Sequence, residues 1–180
     1  MRIISGTARG SRIQAPDGRS TTRPITDRAK ESIFNMLVSL GGVDDAVVLD
    51  LFAGSGSFGL EALSRGARRV TFVERDRRAL AALRANVERL GFGQRATVIG
   101  APVEVALAGL GPADIAFCDP PYAADPWREL QDGIEAELLV GHAETPVALT
   151  ERWEEIRRRT YGRSQIVIAR RSVPPADSGG

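Results

Sequence analysis

From residue 46 onward, short apolar runs alternate with amphipathic stretches, and this alternation predicts strands and helices in turn. Ala46 to Phe52 is apolar except for Asp50, as expected of a central parallel strand buried on both faces. Residues 56–65 suit a helix stopped by Gly66, Arg69 to Glu74 a second strand, and 76–90 a second helix stopped by Gly91. Ala96 to Ile99 reads as a third strand, 103–108 as a short helix and Ala113 to Cys118 as a fourth strand. A helix around 127–139 and a fifth strand from Thr145 to Thr150 follow. Ile156–Tyr161 and Gln165–Ala169 close the chain as a hairpin across Gly162-Arg163-Ser164. Such alternation implies an open, doubly wound α/β sheet, whose ligands gather at the carboxyl ends of the strands.

The segment before residue 46 reads differently. Arg2 to Ile13 resembles two short strands around a glycine-containing turn, and Pro16-Asp17-Gly18 marks another turn. A helix capped by Thr26 or Asp27 carries Ala29, Ile33, Met36, Leu37 and Leu40 at helical spacing until Gly41-Gly42. The expected division is a basic arm over 1–20, a main domain over 21–172 and a disordered tail over 173–180.

Charge sharpens this division. The net charge is only +1, yet residues 1–30 carry seven basic and two acidic side chains, leaving 17 basic and 21 acidic for the rest. A basic arm on an acidic body can neutralise phosphates, which points to nucleic acid; merely solvated termini are the plain alternative. The 180 residues suffice for a real core, and no apolar run approaches the ~20 residues of a membrane helix. One cysteine, Cys118, and one histidine, His142, exclude an internal disulfide and disfavour a Cys/His metal site. A cytoplasmic, metal-free monomer is expected. Cys118 reads as a buried strand residue, His142 as a loop residue, and Trp127 and Trp153 as packing residues.

Two motifs carry the chemistry. Gly54-Ser55-Gly56-Ser57-Phe58-Gly59, at the end of the first strand, allows a sharp turn and close approach of a nucleotide-like cofactor. Glu74, 20 residues beyond Gly54 at the end of the second strand, can accept both hydroxyls of a ribose. A dinucleotide-dependent oxidoreductase shares that pattern. Asp50, however, adds an acid beside the loop that would attract the cationic end of S-adenosylmethionine and gain nothing from a pyrophosphate. A plain reading makes Asp50 a hydrogen-bonded organiser of the loop and Glu74 a surface residue beside Arg75.

The second motif is Asp119-Pro120-Pro121-Tyr122, after the fourth strand. A nucleobase amine is a poor nucleophile because its lone pair is delocalised into the ring. Asp119 and the Pro120 carbonyl can accept its two hydrogens and aim the lone pair at a methyl group, while two prolines fix the turn. Tyr122 offers a stacking face worth ~1–3 kcal/mol. The same clamp serves guanine N2 and adenine N6.

Phe52-Ala53-Gly54-Ser55-Gly56 with Asp119-Pro120-Pro121-Tyr122 resembles the class I S-adenosylmethionine-dependent amino-methyltransferases. With Arg2-Ile3-Ile4-Ser5-Gly6, Arg9-Gly10, Arg23-Pro24-Ile25-Thr26-Asp27-Arg28, Phe34-Asn35-Met36-Leu37 and Gly59-Leu60-Glu61-Ala62-Leu63-Ser64-Arg65-Gly66-Ala67, the chain is similar to the bacterial 16S rRNA guanine-N2 methyltransferases, small-subunit methyltransferase D. The resemblance implies a Rossmann-like, mostly parallel seven-stranded sheet with helices on both faces and a small N-terminal hairpin arm. It implies methylation of guanine 966 of 16S rRNA in the 30S subunit or an assembly intermediate. Asp119, Pro120, Pro121 and Tyr122 would be catalytic. Asp50, Phe52, Gly54, Ser55, Gly56, Glu74 and Arg75 would hold the cofactor. Arg23 and Thr26 would border its methionine end, and backbone at Gly100 and Ala101 would take its adenine. Arg2, Arg9, Arg12 and Arg28 would grip RNA. Two positions depart from the family pattern: Gly100-Ala101 lacks an acid for the adenine amino group, and Ser11 stands where relatives tend to be basic.

Overall fold

The computed structural model describes residues 1–16, 25–121, 127–144, 146–162 and 164–172. Arg23, Tyr122 and the tail 173–180 lie outside the described residues. Seven strands form one sheet: β1 (Val47–Leu51), β2 (Arg69–Glu74), β3 (Ala96–Gly100), β4 (Ala113–Cys118), β5 (Ala136–Ala143), β6 (Trp153–Tyr161) and β7 (Ser164–Arg171). Their order is β3-β2-β1-β4-β5-β7-β6, with only β7 antiparallel to its neighbours. The seven-stranded, mostly parallel sheet expected from the sequence is present. Strand order reverses between β1 and β4, so their carboxyl ends flank the crevice where such sheets bind ligands.

Period-two alternation divides the core between two faces. Val48, Ile115, Phe117, Leu138 and Val140 pack toward α1 (Asp27–Val38), α2 (Ser57–Ser64) and α3 (Arg77–Arg89). Leu49, Leu51, Ala116, Cys118 and Leu139 pack with α4 (Val103–Ala106) and α5 (Trp127–Gly133) on the other face. Phe117 stacks on Phe58 at 5.0 Å between ring centroids and tilts against Phe34 at 5.5 Å. Each such pair adds about 0.5–1.5 kcal/mol beyond area burial, and together they fix the height of β4 against α1 and α2. Trp127 and Trp153 are buried packing residues, as read from the sequence.

The structure corrects the sequence reading in two regions. The helix expected around 127–139 ends at Gly133, and the fifth strand is Ala136–Ala143; residues 146–150 are irregular. Glu135, Ala136, Glu137, Leu138 and Leu139 are good helix formers, but Leu138 to Gly141 pair with Ile115 to Cys118 on one side and with β7 on the other. Burial between two strands overrides local propensity. In the arm, the expected two-stranded hairpin reduces to a single bridge between Arg2 and Arg12, with turns between.

The arm is tied to the main sheet by burial and charge. Ile3 and Ile13 belong to the core, and Glu61, fully buried on α2, accepts the backbone N–H groups of Ile4 at 2.7 Å and Ser5 at 3.0 Å. Glu61 also pairs with Arg65 and buried Lys30, whose Nζ donates to the Arg2 carbonyl at 2.7 Å. Burial pulls the Lys30 ammonium below its ordinary pKa, against the opposing charge of Glu61. Gly6 packs with the Ser64 backbone where any Cβ would sit, so only glycine fits that approach.

Candidate active site at the β1 and β4 strand ends

Chain direction at the end of β1 is set by three unusual backbone positions. Phe52 has φ 60°, Gly54 56° and Gly56 88°, all in the left-handed region. For Phe52 this conformation carries a strain of about 1–3 kcal/mol, which the neighbouring structure must hold. A Cβ on Gly56 would lie 2.5 Å from Leu83, and one on Gly59 would lie 2.3 Å from Phe72, so both glycines serve packing between helix and sheet. Gly54 differs: no atom lies within 4 Å of where its Cβ would be, so this glycine leaves open space at the mouth of the crevice.

Three acids converge there. Glu74 Oε2 accepts the Gly54 N–H at 2.8 Å, and its Oε1 accepts those of Arg75 at 2.7 Å and Asp76 at 2.8 Å. Asp50, buried to 2% exposure, accepts the Gly59 N–H at 2.8 Å through Oδ2. Asp50 therefore organises the loop from beneath, the plainer of its two sequence readings. Burial pushes its pKa up to about 8; the Gly59 N–H opposes this, and the nearby carboxylates of Asp119 and Glu74 add to it. Asp119 follows β4 directly, and its N–H reaches the Leu51 carbonyl at 3.5 Å. The two loops named by the sequence thus sit side by side.

Pro120 is buried and Pro121 half-buried, continuing from Asp119. Gly100 pairs in register with Glu74, so the β3 end carrying Gly100 and Ala101 adjoins the same mouth. Arg75 is exposed. Thr26 caps α1, its hydroxyl accepting the Ala29 N–H at 3.2 Å, which resolves the choice of cap between Thr26 and Asp27. The other basic candidates group on the arm: Arg2, Arg9 and Arg28 line a cleft of ≈ 400 Å³ shared with Asp27 and Glu31, and Arg12 is exposed nearby in sequence.

Two residues escaped the sequence reading. His142, expected in a loop, is the seventh residue of β5, buried, with Nδ1 2.8 Å from Asp119 Oδ1. The misplaced fifth strand hid it. Asn86 on α3 is fully buried; its Nδ2 donates to the carbonyls of Gln14 at 3.0 Å and Ser55 at 3.2 Å, and its Oδ1 accepts the Gln14 N–H at 2.9 Å. It links the arm to the glycine loop, and an asparagine within an amphipathic helix gives no sequence signal of that. Cys118 is buried as expected, its thiol held well above its ordinary pKa by burial and then by Asp119, Asp50 and Glu104. Among the described residues no group of three or more His, Cys, Asp and Glu side chains could hold a metal ion, and no helix is long and apolar enough to cross a membrane.

Comparison with known proteins gives concordant matches. The profile of a family described as "Conserved hypothetical protein 95" covers residues 1–170. The YlbH protein of Bacillus subtilis is 36% identical over 182 residues, covering 93% of this chain and 97% of YlbH. The ribosomal RNA small subunit methyltransferase D of Escherichia coli K12 is 43% identical over 123 residues, covering 68% of this chain and 60% of that protein. Among solved structures, the yhhF protein of Escherichia coli superposes with a TM-score of 0.83 at 35% identity, covering 95% of this chain and 97% of yhhF.

Proposed function

The chain belongs to the conserved hypothetical protein 95 family, and from that premise we propose that it methylates the exocyclic N2 of a guanine in small-subunit ribosomal RNA, using S-adenosylmethionine. The observation that carries the reading is the adjacency of the two loops, in which Asp119 lies beside the strand end that opens into Gly54-Ser55-Gly56. The name of the Escherichia coli relative, a small-subunit rRNA methyltransferase, supports the substrate class. Guanine N2, guanine 966 and the 30S particle follow from the sequence resemblance.

The residues present fit the cofactor. Gly54 leaves the mouth unobstructed, and the buried Ser57 Oγ at the start of α2 has no hydrogen-bond partner among the described residues. Glu74 would take a ribose hydroxyl through the one acceptor site of Oε2 left beside its three backbone donors. Backbone at Gly100 and Ala101 would meet the adenine. Arg75, Phe52 and Ser55 complete the wall, with Thr26 and Arg23 toward the methionine end. Bound S-adenosylmethionine supplies an electrophilic methyl carbon on a sulfonium.

The chain's own contribution is orientation. Asp119 and the Pro120 carbonyl accept the two N–H groups of the amine, which turns its lone pair out of conjugation and toward the methyl carbon. Pro121 holds the turn rigid and contributes no competing N–H, and Tyr122 would stack on the base. Asp119, with 31% of its side chain exposed, can pass the proton lost by the methylated amine to solvent. Arg2, Arg9, Arg12 and Arg28 would neutralise phosphates on the approach to the site.

The decisive test is transfer of a tritiated methyl group to undermodified 30S subunits, followed by nucleoside analysis. Label in N2-methylguanosine is expected. Label in N6-methyladenosine would replace guanine by the alternative target of the same clamp, and no transfer would reject the reading.

A further inference from the structure

We propose that His142 is a positioning residue for Asp119: its Nδ1–H holds one carboxylate oxygen and leaves the other facing the substrate amine. The inference rests on the methyltransferase reading for its consequence, but the geometry stands without it. His142 continues the row Leu138-Val140 on β5 as Asp119 continues Ile115-Phe117 on β4, one step past the paired residues Cys118 and Gly141. Both side chains therefore rise from the same sheet face. The His142 side chain is 3% exposed and that of Asp119 31%, so the carboxylate has a dry side occupied by imidazole and a wet side open to the crevice.

The chemistry of the pair fixes the tautomer. An ionised carboxylate only accepts hydrogen bonds, so the 2.8 Å contact requires a proton on Nδ1. A buried imidazole needs such a partner, and Asp119 is its side-chain partner among the described residues. The terminal torsion of an aspartate is soft and nearly two-fold. Anchoring Oδ1 removes that freedom and presents Oδ2 to the amine. The strand end bearing His142 is itself tightly held, since a Cβ on Gly141 would lie 2.9 Å from Val167 and 3.0 Å from the Trp127 ring. In the transfer step a C–N bond forms, the S–C bond breaks with its electron pair going to sulfur, and the amine proton passes to Asp119 Oδ2 and on to water. His142 keeps its Nδ1 proton throughout.

The chain contains a single histidine, so one 15N-labelled imidazole gives an unambiguous NMR spectrum of the intact protein. Nδ1 is expected to carry the proton at pH 8; a bare Nδ1 would overturn the proposal. This readout needs no substrate, so it is independent of whether the chain methylates rRNA. In methyl transfer to 30S subunits, His142→Leu should lower kcat by about ten-fold or more while the KM for subunits and the cofactor Kd stay within about two-fold. His142→Asn, whose side-chain N–H occupies the place of Nδ1, should recover turnover to within about three-fold of the parent. A folded leucine variant with full turnover, or an asparagine variant no better than leucine, would overturn the role. Should the leucine variant fail to fold, the asparagine variant set against Asp119→Ala decides: turnover as low as that of Asp119→Ala counts against it.

Discussion

Glu74, the last residue of β2, accepts the backbone N–H of Gly54 at 2.8 Å, so one strand end braces the glycine loop of its neighbour. The same carboxylate holds the N–H groups of Arg75 and Asp76, and Asp76 then caps α3 by accepting from Arg78 and Ala79. The proposed ribose contact and the shape of the loop thus depend on one side chain.

Glu74→Ala should therefore weaken S-adenosylmethionine binding by about ten-fold or more, since hydrogen bonds to charged groups contribute about 1.5–3 kcal/mol. Isothermal titration checks this, and unaltered affinity would remove Glu74 from the cofactor site. Glu74→Gln should lie between the two, because one amide oxygen still accepts the Gly54 N–H.

Asp119→Ala should reduce methyl transfer to 30S subunits by about 100-fold or more while cofactor affinity changes only a few-fold. Single-turnover transfer with saturating cofactor separates the two effects. Turnover equal to the parent would reject the clamp.

Asp50 gives a pH signature. Its folded pKa of about 8 lies above the ordinary 3.8, so the folded chain holds this proton more tightly than the unfolded chain. The resulting stabilisation is complete below the unfolded value and is lost as pH rises through about 8. The denaturation midpoint of the parent should fall between about pH 5 and about pH 9 more steeply than that of Asp50→Asn, which does not titrate and can still accept the Gly59 N–H. Parallel profiles would exclude the buried proton.

RNA contact by the arm needs surface variants. Deleting residues 1–13 would remove Ile3 from the core and strip Glu61 of two backbone donors, so lost activity would report damage to the fold. Arg9→Ala and Arg12→Ala, both at exposed positions, should weaken rRNA binding and each lower the slope of log K against log salt by about one, with melting temperature unchanged. An unaltered slope would place phosphate contacts elsewhere.

Glu61 itself is expected to be a stability residue. Glu61→Ala leaves the buried Lys30 ammonium without its carboxylate, a change costing about 3–5 kcal/mol. Hydrogen exchange should show the Ile4 and Ser5 amides losing protection, and an intact arm in that variant would contradict the tether.

Much of this architecture is visible in the residues. Strands β1 to β4 are apolar runs bounded by glycines and polar turns, and the ligand-facing ends follow from the alternation of strand and helix. What escaped notice depends on tertiary partners. Residues 136–139 look helical until β4 and β7 are known to flank them, and a strand expected only from Thr145 leaves His142 in a loop. For Asp50 the residues leave two roles open, loop organiser or charge near a ligand, and its buried contact with Gly59 depends on how α2 settles over β1. Asn86 touches both the arm and the Ser55 carbonyl, positions separated from it by 72 and 31 residues, and no spacing rule anticipates such a bridge.

Burial of Cys118 next to Asp119 gives the strand end an intrinsic reporter. A shielded thiol with so little thiolate is inert toward alkylating reagents, so modification of this sole sulfhydryl proceeds only when β4 detaches from its neighbours. Its labelling half-life then measures how often the crevice comes apart, and a ligand that clasps β1 to β4 should lengthen it.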